Sequence, residues 1–369
     1  MTSLRPDLPT RMLAAARPWL MLGVVCAVFS LDPRFRATFW TASYLPNILQ
    51  QAATNIILAV GVTFVILTGG IDLSVGSVLA LCGVAMGLAM HGELPLFLTY
   101  GLVFPFVVAG GILALRLQGP ARLAVAAVIA VAGALAGPLV ARGLSGGVLL
   151  EGGLIIALLI GVTCGLANGL LIALGRVPPF VVTLGMLTAA RGLTVYATDG
   201  NSVSGLSARL SALGQGAPVV LIALAVVGVG VLLLQRTRPG RYIMAIGGNE
   251  EAARLSGVPV GTMKTLAYVL CGACAACAAV VLTAKFGLAD TGAGANAELN
   301  AIAAVVIGGT SLSGGRGTIT GSLVGALTIA VLNAGLVLIG IRDTLQGVVI
   351  GAVIVSAVML DQYRRWNAR

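Results

Sequence analysis

The chain has 369 residues, of which 58% are hydrophobic and 9% are charged, and 51 of them are glycine. A soluble domain has about 45–50% apolar and about 25% charged residues. This composition excludes a soluble globular enzyme, because too few polar side chains are present to cover its surface. It excludes a disordered chain for the opposite reason, since apolar residues dominate. Most of the chain must therefore be dissolved in lipid.

The net charge of +10 arises from 22 basic and 12 acidic residues. The basic residues lie in short gaps between apolar runs, where they orient a membrane protein, so the charge does not indicate nucleic-acid binding. The spacing of Cys271, Cys274 and Cys277 superficially resembles an iron–sulfur motif, but the fourth ligand is missing. His91 is the only histidine. We therefore expect no metal site and no bound cofactor.

Apolar runs follow one another along the whole chain. A membrane-crossing helix needs roughly 20 apolar residues, and this length predicts about twelve spans. They lie near residues 15–31, 47–68, 74–91, 95–115, 123–141, 150–174, 178–198, 217–235, 264–284, 299–312, 318–340 and 344–361. The seventh and tenth are the least regular, and either could be broken or re-entrant. The prediction is an all-α polytopic fold of about 10–12 transmembrane helices in one domain over residues 1–369.

The distribution of basic residues predicts the orientation. With the N-terminus in the cytoplasm, 15 basic residues fall in cytoplasmic gaps and 6 in outer gaps. Because positive charge accumulates on the cytoplasmic side, we predict that both termini are cytoplasmic.

Glycines spaced by four residues occur in two consecutive registers, Gly161-Gly165-Gly169 and Gly317-Gly321-Gly325. This spacing places the glycines on one helix face and lets two helix backbones approach closely. The sequence therefore predicts two tightly packed helix contacts.

The apolar pattern is interrupted by a polar segment over residues 68–77, which contains Asp72 and Ser74. Either side chain could cap the following helix, or the segment could form a gate or contact a cytoplasmic partner. A similar segment occurs at Gly308–Gly315, which matches Gly69–Gly76 at five of eight positions. This similarity suggests a weak internal repeat.

The longest polar gap, residues 236–263, contains a short predicted helix. Asn249 is its expected N-cap, Glu250 and Glu251 lie in the first turn, and Arg254 is expected to pair with Glu250. Gly257 and the following proline end it. About two turns of helix are not stable alone, so this helix is expected to rest against a cytoplasmic partner.

A few polar residues lie within the predicted spans, where polar groups are costly and often functional. They are Asn55, Asn168, Thr183, Arg191, Glu298, Asn300 and Asn333. If these residues line a path through the membrane, its mostly neutral character suits an uncharged, hydroxyl-rich solute. The alternative is that they only form hydrogen bonds between helices. Neither lysine follows a glycine, so the chain has no phosphate-binding P-loop, and no catalytic constellation is present.

Five sequence segments together resemble one known family, the permease subunits of bacterial ABC importers for monosaccharides. The resemblance is greatest to the ribose-type permeases and slightly less to the xylose-type permeases. The segments are ILTGGIDLSVGS (66–77), GRVPPFVVTLGML with a following RG (175–192), GRYIMAIGGNEEAARLSGVPV (240–260), AELNAIAAVVIGGTSLSGGRG (297–317) and NAGLVLIG (333–340). They follow the family order and, with the spans between them, cover most of the chain.

The resemblance implies a transport subunit of the inner membrane that is not itself an enzyme. It implies a second permease subunit, a cytoplasmic ATP-binding subunit that holds ATP and magnesium, and a periplasmic sugar-binding protein. Two features depart from the family: residues 95–147 resemble a two-span insertion, and Asn300 stands where the family usually has Asp. One alternative is an importer of the same architecture whose solute is an autoinducer-2-like compound, a nucleoside or a branched-chain amino acid. The other alternative is a secondary transporter that works without partner subunits.

Two sets of candidate site residues follow. The segment that docks on the ATP-binding subunit is expected to comprise Asn249, Glu250, Glu251, Ala252, Ala253, Arg254, Leu255, Ser256 and Gly257. The candidates for a gate or translocation path are Asp72, Ser74, Asn168, Arg191, Glu298, Asn300, Thr310 and Ser311.

Overall fold

A computed structural model describes residues 8–114 and 120–342, together with residues 345, 347–353, 355, 356 and 359. Fifteen α-helices lie within this described part. They are α1 (Leu8–Phe29), α2 (Pro33–Phe39), α3 (Leu45–Leu67), α4 (Val75–His91), α5 (Leu96–Ala114), α6 (Pro120–Leu144), α7 (Leu150–Ala173), α8 (Pro179–Thr198), α9 (Ala208–Leu213), α10 (Ala217–Arg236), α11 (Arg238–Gly248), α12 (Glu250–Leu255), α13 (Val260–Phe286), α14 (Ala297–Ile307) and α15 (Ile319–Leu338).

Among the described residues, seven helices are long and apolar enough to cross a membrane. The number is eight if the pair Val75–His91 and Leu96–Gly111, which is bent by 112°, forms one broken span. The prediction of an all-α polytopic membrane protein with broken segments is confirmed. Fewer helices than the predicted 10–12 reach the length of a span among the described residues, where Ala16–Phe29 and Ala297–Ile307 are shorter apolar helices. α5 and α6 occupy the predicted insertion at 95–147, and the predicted span at 344–361 lies largely outside the described residues.

The two least regular predicted spans differ in the structure. α8 runs without interruption over 20 residues, so the break considered for 178–198 does not occur. α14 has 11 residues, which is about 16 Å at 1.5 Å per residue, against a hydrocarbon core of about 30 Å. The stretch at 299–312 is therefore a short, broken segment rather than a full span.

The chain folds into two compact units. In the described ranges, the first contains the residues up to Ile71, Val219–Met263 and the residues from Asn296 onward. Its centre is α3, which packs against α14 and α15, and α1 and α2 pack on α15 as well. Because α3 is surrounded by other helices, its residues from Ile56 to Leu67 are buried in an unbroken run.

The second unit comprises Asp72–Pro218 and Lys264–Ala295. Its centre is α4, which is buried from Val75 to Ala89 and packs against α7 and α8. α5 packs against α6 and α7.

Both predicted glycine registers form helix contacts, although Gly317 lies before the start of α15 and is not part of its packing face. On α7, a Cβ atom added to Gly161 or Gly165 would lie 2.3 Å from a backbone oxygen of α13. On α15, a Cβ atom at Gly325 would lie 1.8 Å from the Ala304 carbonyl oxygen of α14. No side chain fits these spaces, so glycine permits the backbones to touch, as the spacing predicts.

The predicted internal repeat appears at two helix ends, but in a different register. After α3, Gly69 N donates to Ile66 O and Gly70 N donates to Val65 O. After α14, Gly309 N donates to Val306 O and Thr310 N donates to Val305 O. Gly69 and Gly309 have φ angles of 81° and 87°. Gly69 thus corresponds to Gly309 rather than to Gly308, so the sequence alignment is displaced by one residue.

Substitution of Gly325 tests this packing. We expect Gly325→Ala to lower the free energy of unfolding by about 1–3 kcal/mol, because the added methyl group meets the α14 backbone and the helices must separate. The measurement is thermal unfolding of the purified protein in detergent. Gly228→Ala on α10 is the matched control, since nothing lies within 4 Å of its added Cβ. Equal stability of the two variants would contradict the close contact.

Candidate functional site

The predicted polar gap at 236–263 contains two helices that meet at Asn249. Its backbone N–H donates to Ala245 O at the end of α11, and its side-chain Oδ1 accepts from Ala252 N at the start of α12, at 3.0 Å in both cases. Asn249 is therefore the C-cap of one helix and the N-cap of the next. The predicted cap is confirmed, and α11 is an additional helix that the sequence did not predict.

α12 spans Glu250–Leu255, within the predicted segment. Arg254 forms its ion pair with Glu251, three residues earlier, where the sequence predicted Glu250. At the C-terminal end, Gly257 N donates to Arg254 O and Val258 N donates to Ala253 O, and the Ser256 hydroxyl donates to Ala252 O.

One face of α12 is held by the protein and the other is open. Ala253 is 5% exposed, whereas Leu255 is 80% exposed. An exposed leucine beside exposed charges of both signs forms a small amphipathic surface. Such a surface suits contact with another protein, with an apolar anchor surrounded by polar groups.

In the second unit, three of the candidate path residues lie together. Asp72 Oδ1 accepts from Ser74 N at 2.9 Å and from Ser74 Oγ at 2.6 Å. The Asn168 side-chain amide on α7 donates to Ser74 Oγ at 3.0 Å. Asp72 is 2% exposed, so the carboxylate is buried. Ser74 occupies the N-cap position of α4 but makes no side-chain capping bond, and the carboxylate of Asp72 binds at this helix start instead.

This buried cluster is not fully hydrogen-bonded. Among the described residues, Asn168 Oδ1 in this cluster is buried without a hydrogen-bond partner, and so is the Tyr268 hydroxyl on α13 of the same unit. Buried polar groups without partners are uncommon and need an explanation, such as ordered water or a catalytic or transport role. Tyr268 was not identified from the sequence, because a single tyrosine in a small-residue helix carries no distinguishing pattern.

Arg191 lies elsewhere in the second unit. Its Nη1 donates to Thr291 O at 2.5 Å and to Ala293 O at 3.1 Å. The guanidinium thus fastens α8 to the loop that follows α13. In this arrangement Arg191 stabilises the loop that contains Thr291 and Ala293. Its role in a translocation path stays a prediction.

The other candidates lie in the first unit, around α14. Glu298 and Asn300 lie at the start of α14, and Thr310 and Ser311 follow its end. The Ser311 hydroxyl forms a hydrogen bond with that of Ser313 at 3.1 Å. Thr310 Oγ1 is buried without a hydrogen-bond partner among the described residues. These four residues do not form one cluster, because α14 separates the two pairs.

Among the described residues, no group of three or more His, Cys, Asp or Glu side chains could hold a metal ion. The arrangement contains a buried carboxylate, neutral amides and hydroxyl groups. It can form hydrogen bonds with a polar solute.

The Asp72 cluster gives a test of the two interpretations of this residue. We expect Asp72→Ala to lower the free energy of unfolding by about 1–3 kcal/mol, because the buried N–H and hydroxyl of Ser74 lose their acceptor. Asp72→Asn keeps an acceptor oxygen and should recover most of that loss. Unfolding of both variants in detergent is the measurement.

Unchanged stability of Asp72→Ala would show that these hydrogen bonds do not hold the segment. If Asp72→Asn is stable but transports no solute, the charge itself is needed, as the gate interpretation requires. If it transports normally, Asp72 is a structural connector.

Comparison with known proteins is consistent with this geometry. The family model described as branched-chain amino acid transport system / permease component matches residues 96–358. The ribose import permease protein RbsC of Escherichia coli strain K12 is 37% identical over 366 residues, covering 95% of this chain and 96% of the relative. RbsC of Bacillus subtilis strain 168 is 38% identical over 353 residues, covering 94% and 92%.

The D-allose transport system permease protein AlsC of E. coli strain K12 is 33% identical over 351 residues, covering 93% of this chain and 90% of the relative. No solved structure matches the chain. The family model covers more than half of the chain, and these relatives cover nearly all of it. The chain therefore belongs to this family of transport-system permease components and is a multi-pass membrane protein.

Proposed function

We propose that the chain is the membrane-spanning permease subunit of an ATP-driven importer that carries a monosaccharide, ribose or a close analogue, across the inner membrane. The support for the solute is that relatives named for ribose and allose import share 33–38% of their residues with this chain over nearly its full length.

The observation that carries the mechanism is α12. It is a six-residue helix, which has too few turns to be stable in isolation. It is nevertheless capped at both ends, and it presents Leu255 to the surroundings. A preformed, apolar anchor outside the long apolar helices is what a soluble partner needs for docking.

The partner that fits this surface is a cytoplasmic ATP-binding subunit, which would hold ATP and magnesium and hydrolyse the nucleotide. The chain itself then does no chemistry. A second permease subunit and a periplasmic sugar-binding protein complete the importer. This arrangement requires α12 to face the cytoplasm, which agrees with the orientation predicted from the distribution of basic residues.

The solute path is proposed to use hydroxyl and amide groups around a single buried carboxylate rather than a relay of several charges. Asp72, Ser74 and Asn168 form such a polar cluster in the second unit. Hydroxyl groups of a sugar can both donate and accept hydrogen bonds, so amides and hydroxyl groups are suitable partners for it.

The second candidate solute class is branched-chain amino acids, which the description of the matching family names. The two candidates are distinguished by uptake. In proteoliposomes that contain the chain and its co-purified partners, we expect ribose to be transported when ATP is supplied and leucine not to be transported. Allose and xylose are the tests for related sugars.

Uptake of leucine without uptake of any sugar would replace the proposed solute. Purification without an ATP-binding subunit, with uptake that needs no ATP, would show a secondary transporter and overturn the proposal.

Docking at α12 is tested at its exposed apolar residue. We expect Leu255→Asp to reduce co-purification of the ATP-binding subunit by about tenfold or more, because a charge replaces the apolar anchor. Leu255→Met is the matched control, since it keeps an apolar side chain of similar volume. Quantitative mass spectrometry of both complexes from mild detergent is the measurement, and equal recovery of the subunit would contradict docking at α12.

A further inference from the structure

Three glycine pairs converge in the first unit. Gly69 and Gly70 follow α3, Gly247 and Gly248 end α11, and Gly314 and Gly315 lie in the loop between α14 and α15.

The backbones of these segments are in direct contact. Gly315 N donates to Leu67 O, the last carbonyl of α3, at 3.0 Å. A Cβ atom at Gly247 would lie 1.9 Å from that same Leu67 oxygen and 2.3 Å from Gly315 N. A Cβ atom at Gly314 would lie 2.8 Å from Gly69 N and 2.9 Å from Gly247 Cα. No side chain of any size fits between the three segments.

α12 is connected to this contact by a single residue. Gly248 is followed by Asn249, which is hydrogen-bonded to both α11 and α12. A displacement of α12 is therefore passed to the glycine contact through the end of α11, because Asn249 caps both helices. The contact in turn touches the end of α3 and the loop that leads into α15.

We propose that Gly69, Gly247, Gly314 and Gly315 form a glycine junction that positions α12 relative to α3 and α15, so that displacement of α12 moves the ends of these helices as one body. The proposal rests on the proposed function, in which α12 docks on the ATP-binding subunit. Gly247 acts as a positioning residue, since it touches neither solute nor nucleotide.

A backbone junction suits this role for a physical reason. Side chains can change rotamer and absorb a small displacement, whereas a hydrogen-bonded backbone contact without side chains has no such freedom. Tightly packed contacts move as units rather than deform.

The test compares two neighbouring glycines in the full importer. Gly247→Ala introduces a methyl group against the Leu67 carbonyl, whereas nothing lies within 4 Å of the Cβ added in Gly248→Ala. In proteoliposomes we expect Gly247→Ala to keep the ATP-binding subunit and its ATP hydrolysis. Solute transported per ATP should fall by about tenfold, a size typical of coupling between distant sites. Gly248→Ala should transport as the unchanged protein does.

The ratio of transport to hydrolysis separates positioning from a merely structural role, because a poorly folded fraction lowers both rates together. An unchanged ratio in Gly247→Ala would overturn the junction. If the unchanged protein binds no ATP-binding subunit, the proposed function itself fails, which is a different outcome.

A second measurement does not depend on the folding of Gly247→Ala. Spin labels at Ala245→Cys on α11 and Thr320→Cys on α15, both exposed positions, report the distance across the junction. The chain without these two cysteines gives the background labelling. We expect the distance to differ by less than about 2 Å between the nucleotide-free and ATP-bound importer, the scale of a small helix shift. A larger difference would show that the segments move independently, and would overturn the proposal.

Discussion

In a lipid bilayer, the hydrophobic effect does not drive two apolar helices to associate, because hydrocarbon tails are as apolar as leucine. Helices in this chain must therefore be held together by close backbone approach, and the structure depends on the glycines that permit it. α7 meets α13 through Gly161 and Gly165, and α15 meets α14 through Gly321 and Gly325. At each of these contacts a Cβ atom would lie within 2.5 Å of a backbone oxygen. These helix contacts account for part of the high glycine content of the chain.

Close packing also decides where polar groups can lie. Thr63 on α3 and Ser322 on α15 are fully buried and form a hydrogen bond with each other at 2.7 Å. The Thr63 hydroxyl also lies 2.5 Å from Ala59 O of its own helix. Such pairs connect helices without providing a path for solute. The Asp72 cluster differs, because Asn168 within it keeps an unpartnered side-chain oxygen.

The features that were predicted correctly depend on residues close in sequence, although the local pairing of Arg254 with Glu251 was missed. Features fixed by distant residues could not be predicted. The cap at Asn249 and the packing face of Gly161 and Gly165 depend on spacings of three and four residues, and both predictions are confirmed. Arg191 instead binds carbonyl groups one hundred and more residues away. A backbone carbonyl occurs at every position, so no sequence pattern identifies it as a partner. The length of α14 was difficult for a related reason, since a short apolar helix and a full span have the same composition.

The position of α12 follows from the same physics as the packing of the long helices. A helix of six residues is not stable by itself, because its internal hydrogen bonds are too few to offset the entropy of ordering it. The residues at its ends must therefore hold it in place. Its orientation must be imposed from its ends, by Asn249 on one side and by the bonds at Gly257 on the other. Gly247, two residues before Asn249, is pressed against the carbonyl end of α3. The arrangement of the first unit therefore determines the direction in which Leu255 points, and any force on Leu255 is transmitted to the backbone of α3.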